Sequence, residues 1–208
     1  MTGASDDQQS SAIGKRPEER RLSRQRGRIP PGRFRELGPI NWVIAKLGAR
    51  TIHAPEMHLF TTLGQRRLLF WAFAFYGARL LRGRLPQIDT ELVILRVAHL
   101  RGSEYELQHH RWIGRRRGLD DQTQELIFAW PKTSANADGL TDRQQTLLRA
   151  TDEFILNRTI GDEVYQQLSH HLDRRQLIEF CLLAGQYDGL AATMSALQIP
   201  LDHPGDHR

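Results

Sequence analysis

Cysteine is nearly absent from this sequence. Cys181 is the single cysteine among 208 residues, which excludes an intramolecular disulfide, a CxxC redox pair and a zinc site built from several cysteines. It lies in the apolar run Phe180–Ala184, which predicts a buried and unreactive thiol.

Long hydrophobic stretches are missing as well. The longest, Leu68–Tyr76, has nine residues, whereas a membrane-spanning helix needs roughly 20. The polar and acidic segment Met1–Ser11 does not resemble a secretory signal, in which basic residues precede an apolar stretch. We therefore predict a cytoplasmic protein without a membrane partner. Leu68–Tyr76 is predicted to be a helix of the core or of a subunit interface, and contact with a membrane surface is the less favoured alternative.

Acidic residues are scarce in one region near the start of the chain. The formal net charge is +5, and seven basic residues between Lys15 and Arg28 stand against two acidic ones. We predict a disordered basic tail over residues 1–29, a domain over residues 30–202 and a flexible C-terminus over residues 203–208. No aromatic residue alternates with the arginines to stack on bases, so nucleic acid is expected to bind this tail weakly at most.

Helix signals are abundant in the remaining sequence. Four residues that favour helix starts are each followed three residues later by Glu or Gln, the pattern of a capping box. These pairs are Ser103 with Glu106, Asp121 with Gln124, Thr141 with Gln144, and Asp173 with Gln176. Hairpin turn signals are absent, so the sequence predicts an all-α fold. A weak similarity between the segments beginning at Glu91 and at Gln176 suggests duplicated helical hairpins.

Residues 102–114 concentrate ionisable groups. On a helix that begins at Ser103, Glu106 and His110 lie one turn apart on the same face. A carboxylate beside an imidazole raises the histidine pKa, which suits a proton donor near neutral pH. A simpler interpretation is that Ser103 and Glu106 cap the helix and that Glu106 only satisfies a partly buried His110. His109 points about 100° away from His110, so the two histidines do not share a metal and no metal site is predicted.

A wider pattern around these residues is similar to a known family. Glu91–Arg96, Gly102–Glu106, His110 and Gly118-Leu119 resemble the central motif of the carboxymuconolactone decarboxylase family, which belongs to the AhpD-like superfamily. The resemblance extends over residues 55–202. It implies an AhpD-like helical fold and assembly into trimers or hexamers, with the Leu68–Tyr76 face as the expected contact between subunits.

The resemblance also shows a departure from the redox branch of the superfamily. That branch carries a glutamate, a CxxC pair and a histidine, which correspond here to Glu91, to Ser103 and Glu106, and to His110. Because serine and glutamate replace both thiols, the thiol peroxidase chemistry of that branch is not expected.

The motif without its two cysteines resembles the decarboxylase branch, which works without a metal or organic cofactor. Its reaction removes carbon dioxide from a carboxylated lactone of aromatic catabolism, and the electron pair left behind must be protonated at carbon. This chemistry needs a cation for the carboxylate and an acid that delivers the proton. We predict that His110 transfers the proton with support from Glu106 and Glu91. The predicted substrate-binding residues are Arg96, Arg101, Tyr105 and Ser103.

Three functions stay open from the sequence alone. The favoured one is a cofactor-free lyase, or a related acid-base enzyme, acting on a small carboxylated substrate. The second is an oligomeric binding protein that kept the scaffold without its chemistry, which a fully paired Glu106 and His110 sealed from solvent would favour. The third is a peroxidase-type oxidoreductase, disfavoured by the missing thiols. Arg96 has an alternative role of its own, an ion pair with Glu91 or a similar carboxylate.

Overall fold

The computed structural model describes residues 27–131 and 139–203, and within these ranges every regular element is a helix. The all-α prediction is therefore confirmed. In chain order the helices are α1 (Phe34–Thr51), α2 (His58–Leu63), α3 (Arg67–Leu81), α4 (Gln87–Arg101), α5 (Glu104–Arg116), α6 (Asp121–Ala129), α7 (Asp142–Asn157), α8 (Asp162–His171) and α9 (Arg174–Leu197).

Helix α4 forms the centre of the fold and packs against α5, α6, α7 and α9. All ten residues from Asp89 to Ala98 are buried, as expected for a helix that is apolar on most of its faces. Three of these buried residues are ionisable: Asp89, Glu91 and Arg96. Buried charges need partners, so the places where α4 meets its neighbours are also where polar contacts concentrate.

The turn between α4 and α5 depends on Gly102. This residue adopts the left-handed conformation, with φ 59° and ψ 34°, and the backbone N–H of Ser103 donates to the Ala98 carbonyl at 2.9 Å. Glycine takes this conformation without the steric penalty of a side chain, and it commonly ends helices in this way. The tight turn lays α5 back against α4, so that residues of the two helices face each other.

Two of the four predicted capping boxes are present as predicted, at Thr141 with Gln144 and at Asp173 with Gln176. The box predicted at Asp121 is wrong by one residue, because Asp120 caps α6 by accepting from the Thr123 backbone N–H at 2.8 Å.

The capping box predicted at Ser103 is also wrong. Ser103 occupies the N-cap position of α5, but its side chain makes no cap hydrogen bond. Glu106 is thus not held at the helix end and lies buried instead.

The ends of the described chain contact the helical body. Arg28 donates its backbone N–H to the Leu197 carbonyl, and His203 donates its backbone N–H to Gln108 Oε1 at 3.1 Å. Residues 1–26 of the predicted tail and residues 204–208 of the predicted C-terminus lie outside the described residues. The domain limits of 30 and 202 stay a prediction.

The predicted subunit-contact segment Leu68–Tyr76 lies in α3. Phe70 is buried on one face of this helix, whereas Leu68 is 88% exposed and Phe75 is 72% exposed on the single chain. Within residues 27–131 and 139–203, no helix is long and apolar enough to cross a membrane. Assembly through α3 stays a prediction.

Candidate functional site

Three of the predicted site residues meet between α4 and α5. Glu91 comes from α4, and Glu106 and His110 come from α5; all three are buried. His110 Nδ1 lies 2.8 Å from Glu91 Oε2, within hydrogen-bond distance. The hydrogen bond to the imidazole is therefore made by Glu91, not by Glu106 as the helix spacing suggested.

The other ring nitrogen of His110 faces Tyr187 of α9. The Tyr187 hydroxyl lies 3.3 Å from His110 Nε2, and the two rings meet edge to face at 85°. When the imidazole is neutral and donates from Nδ1 to Glu91, its Nε2 accepts a hydrogen bond from this hydroxyl. Sequence reasoning missed Tyr187, since it is 77 residues away along the chain and belongs to no motif with His110.

Glu106 differs from Glu91 because its carboxylate has no hydrogen-bond partner. Both oxygen atoms are buried without a donor. Burial raises the pKa of Glu106 to about 7; the nearby Ser103 hydroxyl and the charge of His110 lower it only in part, and Asp188 raises it further. A carboxyl group with this pKa exchanges its proton near neutral pH.

His110 is affected by the same surroundings in opposite ways. Burial lowers the pKa of His110, but the charge of Glu91, its hydrogen bond and the charge of Glu106 together raise it above the ordinary value. The imidazole and the two carboxyl groups are close enough to titrate as a coupled set. We call Glu91, Glu106, His110 and Tyr187 the Glu106 cluster.

Arg96 was predicted to bind substrate, but its guanidinium is occupied within the fold. It forms a two-pronged ion pair with Asp152, with distances of 2.6 and 2.8 Å, and it donates to the Ile127 carbonyl at 2.9 Å. Arg96 is 3% exposed. The alternative prediction, an ion pair with a carboxylate, is confirmed, and the partner is Asp152 instead of Glu91.

Arg101 lies closer to the Glu106 cluster. Its Nε lies 2.5 Å from Asp188, the same carboxylate that raises the pKa of Glu106, and its Nη2 donates to the Ile155 carbonyl at 2.9 Å. The side chain of Arg101 is 30% exposed. It therefore keeps donors beyond these two contacts, and part of it is open to solvent.

Tyr105 belongs to a separate network centred on Asp202. The Tyr105 hydroxyl donates to Asp202 Oδ2 at 2.5 Å, and His58 approaches Oδ1 through its backbone N–H at 2.8 Å and its Nδ1 at 2.7 Å. His109 Nε2 lies 3.2 Å from Oδ2, although its angle is poor for a hydrogen bond. We call Asp202, His58, Tyr105 and His109 the Asp202 cluster. Sequence reasoning did not single out Asp202, which lies in a non-helical segment after α9.

The Asp202 carboxylate is strongly acidic. Burial by itself would raise its pKa, but the contacts with His109, His58 and Tyr105 outweigh burial and lower the pKa of Asp202 to about 2. The contact with Asp202 in turn raises the pKa of His58. This cluster connects the C-terminal segment to α2 and α5.

The described part of the chain has at least two cavities. One of about 320 Å³ is lined by residues of α5 and of the segments near His53 and His203, and one of about 190 Å³ lies between α1 and the start of α2. Neither cavity is lined by Glu91, Glu106 or His110. Across residues 27–131 and 139–203, no group of three or more His, Cys, Asp and Glu side chains is arranged to hold a metal ion.

Comparison with known sequences shows a similarity to one family. Residues 68–153, which include α4, α5 and most of α7, match the sequence model of the carboxymuconolactone decarboxylase family. This part of the chain is therefore similar to that family. No curated protein sequence matches the chain.

Solved structures show the same fold at low sequence identity. An uncharacterized peroxidase-related protein from Ralstonia eutropha, described as an alkylhydroperoxidase AhpD core, superposes with a TM-score of 0.72 at 14% identity, over 87% of this chain and 93% of its own. An uncharacterized peroxidase-related protein from Silicibacter sp. gives a TM-score of 0.64 at 16% identity, over 78% of this chain and 85% of its own. A protein of unknown function from Agrobacterium tumefaciens gives 0.58 at 16% identity, over 64% of this chain and 90% of its own. The chain therefore has the AhpD-like helical fold.

Proposed function

We propose that this protein, which is similar to the carboxymuconolactone decarboxylase family, is a cofactor-free acid-base enzyme that moves a proton on a small carboxylated, lactone-like substrate. One observation carries the proposal: a buried imidazole lies between two buried carboxyl groups, and one of them, Glu106, has no hydrogen-bond partner and a pKa of about 7. General acids work best when their pKa lies near the working pH.

The cluster suits the protonation step of a decarboxylation. When the bond from carbon to the carboxylate breaks, carbon dioxide leaves and its electron pair stays on the substrate carbon. The neutral carboxyl group of Glu106 supplies the proton for that carbon. His110, held by Glu91 at 2.8 Å, returns a proton to Glu106 from its protonated form and then takes a proton from solvent, so that solvent is the source of the proton that the product gains.

Arg101 is the proposed cation for the substrate carboxylate. It lies beside the cluster through Asp188, and its side chain is 30% exposed. Ser103, close to Glu106, is the proposed hydrogen-bond donor. Arg96 and Tyr105 are left out of the proposed site because Asp152 and Asp202 already bind their polar groups.

A non-catalytic binding protein is the second candidate, and two observations favour it. Glu91 and Tyr187 occupy both ring nitrogens of His110, and Glu106 and His110 are both buried. The unpaired carboxyl group of Glu106 favours the enzyme candidate. A buried acid without hydrogen-bond donors adds no stability to a purely structural site.

A thiol peroxidase is the third candidate, because two of the solved structures with this fold are described as peroxidase-related. Ser103 and Glu106 stand where the redox branch has its cysteines. The remaining thiol, Cys181, has its pKa raised by burial, which makes it a poor nucleophile. Peroxidase activity that disappears when Cys181 is blocked would support this candidate over the acid-base enzyme.

The test is carbon dioxide release from a panel of carboxylated lactones and β-keto acids. We expect His110→Ala and Glu106→Gln each to lower turnover roughly 10²- to 10⁴-fold, and the residual rate of Glu106→Gln to lack the pH limb near 7. His170→Ala is the matched control, because His170 is an exposed histidine at the end of α8. Unchanged turnover in His110→Ala would take His110 out of the mechanism. No turnover by the wild type with any member of the panel would favour the binding protein.

A further inference from the structure

The cavity of about 320 Å³ lies on a different side of α5 from the Glu106 cluster and has a basic lining. Three arginines and three histidines contribute to this lining, together with one tryptophan, and none of the lining residues is acidic. The residues used below are His53, His109, Arg111, Trp112, Arg116 and His203. Small-molecule sites have volumes of about 300–1,000 Å³, so this one suits a small ligand.

Arg111 and Arg116 are the two lining arginines that have donors to offer an anion. The third, Arg115, pairs with Asp121. Arg116 stacks over the Trp112 ring at 4.8 Å and forms no ion pair within the part of the chain that the structure describes. Arg111 pairs with Glu125 at 2.7 Å, but that carboxylate is on a side chain that is 68% exposed, where an ion pair contributes little free energy. The Nε of Arg111 is buried without a hydrogen-bond partner. A buried donor without an acceptor is unusual in a folded protein, so the fold does not fully satisfy the Arg111 guanidinium.

One wall of the cavity is aromatic. The Trp112 and His53 rings meet edge to face with their centroids 5.3 Å apart. With the Arg116 guanidinium over the indole, this wall offers flat surfaces on which a flat ligand can stack.

The opposite wall is held in place before any ligand binds. Gln108 fixes the backbone of His203 by two hydrogen bonds, of 2.7 and 3.1 Å, and His203 Nε2 lies 3.2 Å from the Ile52 carbonyl. A site that is ordered in advance loses less entropy when it binds a ligand.

We propose that this cavity is a binding site for a small organic anion with a flat ring, in which Arg111 and Arg116 bind the carboxylate and Trp112 packs against the ring. The site is independent of the proposed proton transfer at Glu106 and His110.

Titration of the full chain with benzoate, followed by tryptophan fluorescence and calorimetry, tests the proposal. We expect saturable binding of benzoate, and dissociation constants about tenfold higher in Arg111→Gln and in Arg116→Gln, because each loses a charged donor. Arg82→Gln removes an exposed arginine at the end of α3, away from the cavity, and should bind benzoate like the wild type. Arg116 is itself exposed, so its variant keeps the test valid if Arg111→Gln fails to fold.

Three further ligands separate the contributions of charge and ring. Acetate has the charge without the ring, benzamide has the ring without the charge, and inorganic phosphate is an anion of another shape. Each should bind at least about tenfold more weakly than benzoate if both features matter. Equal binding of acetate or phosphate, unchanged affinity in both arginine variants, or no binding of benzoate would overturn the proposal. His110→Ala should keep the wild-type affinity, and a loss there would place the anion at the Glu106 cluster instead.

Discussion

Two buried carboxyl groups, which lie at different faces of α5, have nearly the same exposure, but their pKa values are shifted in opposite directions. Asp202 is 2% exposed and has a pKa lowered to about 2, whereas Glu106 is 3% exposed and has a pKa raised to about 7. Burial disfavours the charged form of both. The difference comes from donors: Asp202 accepts hydrogen bonds from His58 and Tyr105, whereas Glu106 has only the nearby Ser103 hydroxyl, which makes no hydrogen bond of normal geometry to it. Hydrogen-bond donors, rather than the degree of burial, therefore decide whether these two buried carboxyl groups are ionised.

The two clusters are built from neighbouring residues of one helix. His109 contacts Asp202, and His110 contacts Glu91, because successive side chains of a helix point about 100° apart. The Asp202 cluster satisfies its carboxylate and connects the C-terminal segment to α2 and α5. The Glu106 cluster leaves one acid unsatisfied. The comparison is consistent with a stabilising role for the first cluster and with the proposed proton transfer at the second.

Asp202→Asn is expected to have the largest effect on stability. It removes the charge that faces His58 and His109 and weakens the hydrogen bond from Tyr105. Breaking a buried charge network of this kind lowers the free energy of unfolding by about 4 kcal/mol. Urea denaturation at pH 7 measures the change. Glu106→Gln is the control, since it removes a buried carboxyl group that accepts no hydrogen bond. If Asp202→Asn lost no more stability than Glu106→Gln, the contrast between the clusters would be wrong.

Glu106→Gln should instead change how stability depends on pH. Because the pKa of Glu106 is raised from 4.5 to about 7, the protonated form is favoured in the folded state. The free energy of unfolding of the wild type should therefore fall as the pH rises from 4.5 through 7, by on the order of 3 kcal/mol from this group. Glutamine cannot ionise, so the variant should lack this part of the decline.

The measurement is urea denaturation of both proteins at several pH values from 4.5 to 8. The raised pKa of His110 contributes a decline in the same direction, and its main part stays in the variant, so the difference between the curves reports Glu106. Asp202 contributes nothing in this range, since its pKa changes from 3.8 to about 2. Parallel curves for the two proteins would mean that Glu106 is ionised at neutral pH.

The sequence was sufficient to predict the fold class and the proximity of Glu91, Glu106 and His110. Capping patterns such as those at Thr141 and Asp173 depend on residues three positions apart, so local sequence determines them. Glu106 and His110 are one turn apart on α5, and the tight turn at Gly102 brings Glu91 of α4 to the same place. Their proximity therefore follows from helix geometry.

The residues that contact His110 and Tyr105 in the two clusters lie far from them in the sequence. Tyr187 is 77 residues from His110, and Asp202 is 97 residues from Tyr105. Only tertiary packing brings such residues together, and no spacing rule predicts it. The sequence did not identify Asp152 as the partner of Arg96 for the same reason, because Asp152 is 56 residues away on α7.

Ser103→Ala should have the smallest effect on stability. It tests why the spacing from Ser103 to Glu106 predicted a capping box that is not formed. The spacing from Ser103 to Glu106 fits a capping box, but it equally fits a glutamate that turns inward, and the structure has the second arrangement. Because the Ser103 side chain makes no cap hydrogen bond, its removal should lower the free energy of unfolding by less than about 0.5 kcal/mol. Asp173→Ala, the matched control, should lose about 1 kcal/mol, since Asp173 accepts from two backbone N–H groups of α9.

The same variant should shift the acidity of Glu106. The Ser103 hydroxyl lowers the pKa of Glu106, so without it the pKa should rise further above its ordinary value. Titration of the Glu106 side-chain carbon by NMR measures this shift, and urea denaturation at pH 5 measures the stability. A stability loss equal to that of Asp173→Ala, with an unchanged Glu106 pKa, would show that Ser103 caps the helix after all. A small stability loss with a raised pKa would show that the hydroxyl acts on the buried acid, which is the role that a proton-transfer site requires of it.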